Sequence, residues 1–438
     1  MFRETKRVTI VGLIGAIVLS LLATSGRAFC AAGENQNPIP PGTIITPQNW
    51  QKYKQYMSDG LQVLFAGQHF WKMPPDFQMV VSAYKSYPLP KIYVENTEKY
   101  AKDVKIVTTS DGGHNLSGYV AGLPFPNPQE PLRGWKLLVD DWYAYQPHEI
   151  CATQSKVWFH DRLLNESTLN QIFLLRRMSH ISDPGEPIYE PRGKGEDLVQ
   201  YAQILQPEQA RYTTLFNVYY EDLSKPQDTY LFIPALRRSL RLSTAARCAP
   251  FFGGDFTNDD TRHGAFNGNM THFDADFVAD RQILEAPDVT QDLSKLVNPR
   301  NYFQPLFFGK PTLETWEVRP VWMINVHPIP KYTPGYCYSK RILYVDKEDY
   351  QAMWADLYDD GGKFWKVDYD PQGMVSVPGV GEAWTNTGWG TMWDEQAGHL
   401  TMAEVQMLAN QNCNGPNGEN YTDIGRYFSL SALSQIMR

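Results

Sequence analysis

Cysteine is scarce in this chain of 438 residues: there are five, and no two of them form a C-x-x-C pair. That excludes an ordinary zinc ribbon or finger, whose ligands come in close pairs. Catalytic signatures are missing as well, with no G-x-S-x-G elbow, no H-E-x-x-H helix and no P-loop ahead of Lys310. His148-Glu149 lacks the second histidine of a zinc helix, and Gly379-Val380-Gly381 lacks the third glycine of a dinucleotide fingerprint. No exact internal repeat or low-complexity tract is present. Basic residues are in deficit, 40 Lys and Arg against 48 Asp and Glu, for a formal charge of −8. The first 32 residues hold Arg3, Lys6, Arg7 and Arg27 against Glu4, a net of +3, so the chain from Gly33 onward stands at −11. Such acidity argues against nucleic acid and against electrostatic docking on anionic lipid.

What is present begins with a charged start, Arg3 to Arg7, followed by an apolar run from Val8 to Thr24. These are the n-region and h-region of a secretory signal. The run is short against the ~20 residues that span a bilayer, and a polar, Pro-containing stretch follows it. Small residues permit cleavage after Ala28 or, preferred, after Ala32, and bulky Phe29 argues against lipid attachment at Cys30. The expected compartment is the periplasm, with outer-membrane association left open. Four cysteines then remain, Cys151, Cys248, Cys337 and Cys413, an even and widely spaced set that reads as structural disulfides with three connectivities. Cleavage after Ala28 would keep Cys30 and make the count odd. Because short loops close first, the expected pairs are Cys151 with Cys248 and Cys337 with Cys413.

Periodicity divides the remainder. After a loose opening, Thr46 and Pro47 start a predicted helix on which Trp50, Tyr53, Met57, Leu61 and Leu64 recur at helical spacing. Residues 84–128, punctuated by Pro and Gly and ending in Gly122-Leu123-Pro124-Phe125-Pro126-Asn127-Pro128, read as irregular chain laid over a surface. From about Val157, period-two alternation predicts strands. Trp316, Val318, Trp322, Ile324 and Val326 share one face, with Glu317, Arg319 and Asn325 on the other. Phe273, Ala275 and Phe277 oppose His272, Asp274 and Asp276, and Phe216, Val218 and Tyr220 share a face. Alternation of this kind implies sheets with one buried side, hence antiparallel pairing. Residues 347–358 fit a helix slightly better than a strand, and the polar residues 400–438 are expected to close or cap the sheet. The expected organisation is a signal at 1–32, a helical and irregular segment at 33–150 packing on the sheet, and a β domain at 151–438.

Three clusters are candidates for chemistry. Asp255, Asn258, Asp259 and Asp260 offer hard oxygen ligands for calcium, but Asp260 stands where an EF-hand needs Gly and Phe266 where it needs Glu. A turn stabilised by local hydrogen bonds explains them better. His263, His272, Asp274 and Asp276 would suit a His/carboxylate metal site, and an exposed strand face explains them equally well. Arg237, Arg238, Arg241 and Arg247 read either as a clamp for an anionic headgroup or as solvated surface charge.

The segment Tyr230-Leu231-Phe232-Ile233-Pro234-Ala235-Leu236-Arg237-Arg238-Ser239-Leu240-Arg241-Leu242-Ser243, followed by Gly254-Asp255-Phe256-Thr257-Asn258-Asp259-Asp260, resembles the family called domain of unknown function 1329. The likeness extends to Gly122–Pro128, to Arg319-Pro320-Val321, to Tyr338–Lys347 and to Asp359–Lys366. Gly254 and Asn258 depart from the wider lipoprotein-carrier pattern, which has Ser and Tyr there. The resemblance implies a mainly β fold with some helix: a large, strongly curved antiparallel sheet, an incomplete β-barrel like that of lipoprotein carriers, closed by helices and long irregular segments. It turns residues 347–358 toward a strand after a turn. It implies an apolar cavity for acyl chains, companionship with hydrophobe-exporting inner-membrane transporters and outer-membrane proteins, and no catalytic residues.

The expectation is therefore a periplasmic carrier or chaperone for a lipid-like molecule or an acylated protein, with no cofactor. Phe216, Tyr220, Tyr230, Phe232, Trp316, Trp322 and Tyr344 are the expected groove residues, with Arg237, Arg238 and Arg341 at its mouth. The alternatives are a metal-dependent enzyme built on His263, His272, Asp274 and Asp276, and a scaffold that only bridges envelope proteins.

Overall fold

The computed structural model describes residues 37–242, 247–289, 302–386, 389–404, 408–409, 413–415 and 418–434. Two small strand pairs come first, β1 (Ile44–Ile45) with β2 (Met79–Val80) and β3 (Lys105–Thr108) with β4 (His114–Ser117). The main body is a fourteen-stranded antiparallel sheet. One meander runs through β5 (Glu149–His160), β6 (Glu166–Arg177), β7 (Glu196–Gln206), β8 (Thr214–Tyr220), β9 (Asp228–Ile233) and β10 (Arg238–Arg241). A second runs through β11 (Phe273–Glu285), β12 (Glu317–Pro328), β13 (Tyr338–Asp346), β14 (Ala352–Asp359) and β15 (Phe364–Tyr369). After a separate hairpin of β16 (Gln372–Val377) and β17 (Gly381–Asn386), a last hairpin splices the meanders. Its β18 (Trp389–Asp394) pairs with β15, its β19 (His399–Glu404) pairs with β5, and β20 (Leu408–Ala409) adds to the start of β5. The outermost strands β10 and β11 do not meet, so the curved sheet stays an open barrel. The turn after β13 and the strand β14 place residues 347–358 as the family resemblance implies.

Both faces of the sheet are covered, which corrects the expectation of one buried side. On the outer face the amino-terminal segment brings Met57, Leu61, Leu64 and Trp71 onto the second meander, around a stack of Trp316, Trp354, Tyr369 and Trp393. The carboxy-terminal segment brings Tyr421, Ile424, Tyr427 and Phe428 onto the first meander. Glu317 and Arg319, on the polar side of their strand, are consequently buried. Arg319 is 0% exposed and is satisfied by Asp346 at 2.7 Å, Glu348 at 2.9 Å and Glu317 at 3.1 Å. On the inner face, α3 (Arg133–Tyr143) lies across the second meander and buries Trp135, Leu138, Val139 and Trp142. Gly134 allows this, because a Cβ there would stand 2.2 Å from the Ala275 carbonyl oxygen of β11.

The helices also differ from expectation. Residues 50–56 form two 3-10 turns, and the helix α1 (Asp59–Ala66) starts only after Ser58, whose hydroxyl caps the Leu61 N–H at 3.2 Å. Within residues 84–128, α2 (Lys91–Tyr100) and the β3–β4 hairpin stand where irregular chain was expected. Pro88 and Pro90 precede α2 rather than interrupt it, and Tyr93 and Thr97 bury one face at i,i+4 spacing. Residues 122–128 are irregular.

Both expected disulfide pairs are replaced. Cys151 is bonded to Cys413 and Cys248 to Cys337, with Cα–Cα distances of 6.3 and 5.8 Å. The cause is topology: the chain after β19 folds back along β5, where Leu408 is the register partner of Cys151. Adjacency in the sheet overrides adjacency in the chain. Non-reducing peptide mapping is therefore expected to yield linked peptides Cys151–Cys413 and Cys248–Cys337. Replacing Cys248 and Cys337 together by Ser should lower the unfolding free energy by about 2–4 kcal/mol in denaturant titrations; linked peptides in any other pairing would refute the topology.

Candidate functional site

The inner face of the first meander is not filled by side chains. Between it and the connection 250–262 lies a cavity of about 210 Å³. Its floor is built from alternate residues of neighbouring strands: Leu169, Phe173 and Leu175 of β6, Ala202 of β7, Leu215 of β8 and Ala403 of β19. Register places Phe173 and Leu215 on either side of Ala202. A bulge between Ala152 and Ser155 shifts the alternation of β5, so that Ile150 and Val157, seven residues apart, both face the cavity. Phe251, Phe252 and Phe256 form the roof. Several polar floor residues bond among themselves: Tyr219 Oη donates to Gln200 Oε1 at 3.0 Å, Thr229 Oγ1 donates to Asn217 Oδ1 at 2.7 Å, and Gln171 Nε2 donates to Ser155 Oγ at 3.3 Å while its Oε1 has no partner among the described residues.

The roof is held by the aspartates that sequence offered as a calcium site. Asp255 accepts from Thr401 Oγ1 at 2.6 Å and pairs with His399 Nδ1 at 2.8 Å, and this hydrogen bond raises the His399 pKa. The Asp255 carbonyl accepts from Lys366 Nζ at 2.5 Å. Asp259 accepts from Tyr336 Oη at 2.7 Å and ion-pairs with Arg247. Asp260 closes a capping box with Thr257 and accepts from Tyr338 Oη at 2.7 Å and Arg341 Nη2 at 3.1 Å. The Cys248–Cys337 bond ties the same connection to the residue before β13. Gly254 lets the roof lie close, since a Cβ there would come within 2.8 Å of Phe159 and 2.9 Å of Thr401.

Arg262 lines the cavity with no carboxylate within 4.0 Å among the described residues. Arg262 donates from Nη2 to the Trp142 carbonyl at 2.7 Å, and its guanidinium lies 3.8 Å from the centre of the Trp142 ring. Burial, helped by the nearby Arg177, pushes its pKa down to about 10, so it remains a cation at neutral pH. Close by, Asp141 of α3 accepts from the Ala352 N–H at 2.9 Å, and burial pushes its pKa up to about 7.

The residues proposed from sequence lie elsewhere. Phe216, Tyr230 and Phe232 pack with the carboxy-terminal segment on the outer face, and the Tyr220 hydroxyl donates to Asp228 at 2.9 Å. Trp316 and Tyr344 belong to the outer aromatic core, whereas Trp322 packs on Tyr350 on the inner face of the second meander. Arg237 and Arg238 are exposed at the turn into β10. Arg341 stands one contact behind the cavity, through Asp260. His272 stacks on Tyr332 at 3.5 Å, and burial together with Arg247 pushes its pKa down to about 4. Asp276 pairs with His327 at 3.3 Å, Asp274 accepts from the Ala275 N–H, and the side chain of His263 lies outside the described residues. Among the described residues, no three His, Cys, Asp or Glu side chains converge as metal ligands.

Comparison with known proteins assigns the chain. A family model described as protein of unknown function, DUF1329, matches residues 44–434. The chain belongs to the DUF1329 family. An uncharacterized protein of Pseudomonas aeruginosa is 22% identical over 365 residues, which are 79% of this chain and 73% of that protein. Among solved structures, a DUF1329 protein from Desulfovibrio piger is 14% identical with a TM-score of 0.48, over 70% of this chain and all of its own. An outer membrane lipoprotein-sorting protein domain from Vibrio parahaemolyticus is 14% identical with a TM-score of 0.46, over 69% of this chain and 98% of that domain. A LolA superfamily protein from Nitrosomonas europaea is 12% identical with a TM-score of 0.38, over 65% and 95% of the two chains.

In this DUF1329 chain Arg341 is a structural residue of the roof. Arg341→Ala leaves Asp260 buried and uncompensated, so urea unfolding is expected to show a loss of about 3–5 kcal/mol. A loss below about 1 kcal/mol would mean that the roof does not depend on the pair.

Proposed function

We propose that the protein is a carrier or chaperone that holds the aliphatic part of a lipid-like ligand in the bacterial envelope. The observation that supports this is the cavity of about 210 Å³ under a roof of phenylalanines. Protein interiors rarely keep voids larger than a water molecule. The cavity is partly open to solvent, so a ligand can reach it, and smaller apolar cavities, about 150 Å³, admit benzene-sized guests. Each methylene transferred into such a space yields about 0.8 kcal/mol, so a ligand gains affinity without any catalytic group. The signal-like start and two disulfides fit an exported protein. A hydrophobe-exporting transporter on one side and an outer-membrane acceptor on the other are the partners such a carrier would serve.

The test is binding of the neutral fluorescent probe N-phenylnaphthylamine to the delipidated protein. Wild type is expected to bind it. Ala202→Phe, which puts a ring between Phe173 and Leu215, should weaken binding more than tenfold with an unchanged circular dichroism spectrum. A wild type that takes up no probe, or an Ala202→Phe variant that binds like wild type, would overturn the reading.

A further inference from the structure

Five arginines are buried in the described structure: Arg176, Arg177, Arg262, Arg319 and Arg341. Four of them have carboxylate partners, Arg176 with Glu149, Arg177 with Asp197 at 3.4 Å, Arg319 with Asp346 at 2.7 Å and Arg341 with Asp260 at 3.1 Å. For Arg262 no carboxylate lies within 4.0 Å among the described residues, Asp197 and Asp141 acting on it only at longer range, and its Nη1 has no hydrogen-bond partner. It is 92% buried, being 8% exposed, and it lines the cavity. Desolvating a cation costs several kcal/mol unless an opposite charge meets it. One backbone carbonyl and the face of Trp142 offset only part of that.

We infer that the ligand is a single-chain amphiphile with a monoanionic headgroup, a long-chain carboxylic acid, whose carboxylate pairs with Arg262 while the part of its chain next to the headgroup occupies the cavity. This rests on the carrier reading above. The chain count follows from volume, because about 210 Å³ is below the ~300–1,000 Å³ usual for small-molecule sites and takes only the part of one chain next to the headgroup, the rest reaching out through the open side. The single charge follows from the other groups at the cavity. Asp260 is covered by Arg341 and Tyr338, and Asp370 lines the cavity beside Asp368, whose carboxyl pKa is raised by burial and by Asp370. Acidic groups on that side disfavour a dianion such as a phosphate monoester more than a monoanion, and one guanidinium matches one carboxylate.

The experiment is calorimetric titration of the delipidated full-length mature protein with palmitate and with hexadecanol, which share a chain length and differ in headgroup charge. Wild type is expected to bind palmitate at least about tenfold more tightly than hexadecanol, the factor expected from a charge-assisted hydrogen bond. Arg262→Gln should erase that preference while leaving hexadecanol affinity unchanged, and Arg262→Lys should keep part of it. Because Arg262→Gln removes an unpaired buried charge, its thermal midpoint should not fall below that of wild type; should that variant not fold, the wild-type preference and Arg262→Lys decide. Equal affinities for the two probes in wild type, or a palmitate preference that survives Arg262→Gln, would overturn the inference and leave the carrier reading standing. Binding of neither probe would overturn both.

Discussion

Three buried aspartates keep the cavity open. Left to apolar contact alone, Phe251, Phe252 and Phe256 would sink toward the floor, because a void forfeits dispersion contacts on every side that lines it. Asp255, Asp259 and Asp260 prevent this with directional bonds of 2.6–3.1 Å to Thr401, His399, Tyr336, Tyr338 and Arg341. Their partners sit at or beside β13 of the second meander and on β19 of the hairpin that splices the meanders. The roof therefore has a fixed height over the first meander. Its polar network is high-stakes in the usual sense: satisfied, it specifies one arrangement, and with a member removed it leaves a buried charge.

The need for a roof follows from dimensions. Thirteen strands side by side at roughly 4.8 Å spacing make a sheet on the order of 60 Å across before curvature, while the eleven residues of α3 extend about 16 Å. One helix cannot cover the inner face. It covers the second meander, pressed on β11 by way of Gly134, and the first meander is left to irregular chain. Irregular chain packs less completely than a helix because its backbone groups must also find partners. The outer face has no such gap, since the segments before α2 and after β19 fill it with aromatic side chains.

Much of this was legible in the sequence, and the rest failed for a physical reason. Alternation at Trp322–Val326 and Phe273–Phe277 identifies strands and their antiparallel pairing, because period two is a property of the local backbone, whereas Trp316 and Val318, expected on the face of Trp322, pack in the outer core. It does not say which face meets the cavity. Phe216 is the more apolar neighbour of Leu215 and Asn217, so it reads as the ligand side; yet the outer face takes Phe216 because Tyr427 and Phe428, more than two hundred residues later, cover it. The cavity takes the face on which Gln171, Gln200 and Asn217 alternate with Leu and Phe, a mixture that resembles a solvated surface. The bulge in β5 reverses its alternation in a stretch, Ala152–Ser155, with no glycine to mark it. Disulfide pairing was lost in the same way, to topology that local spacing does not encode.

Arg262 and Arg341 show what separates a structural charge from a functional one. Sequence singles out Arg341 as a mouth residue and gives no signal for Arg262, which stands between Thr261 and His263. In the fold, Arg341 has its carboxylate, its tyrosines and full burial, and every one of its contacts holds the roof. Arg262 has a carbonyl, a ring face and a void. A native protein tolerates a rule broken locally when the break is useful, since selection otherwise removes a cost of several kcal/mol. Here two such costs, an unfilled apolar space and an unpaired buried cation, fall at one place under one roof. Either alone has structural explanations, a packing defect or a charge stabilised by an aromatic face. Their coincidence has a common remedy, a molecule with an aliphatic chain and one negative charge, which would remove both penalties in a single binding event.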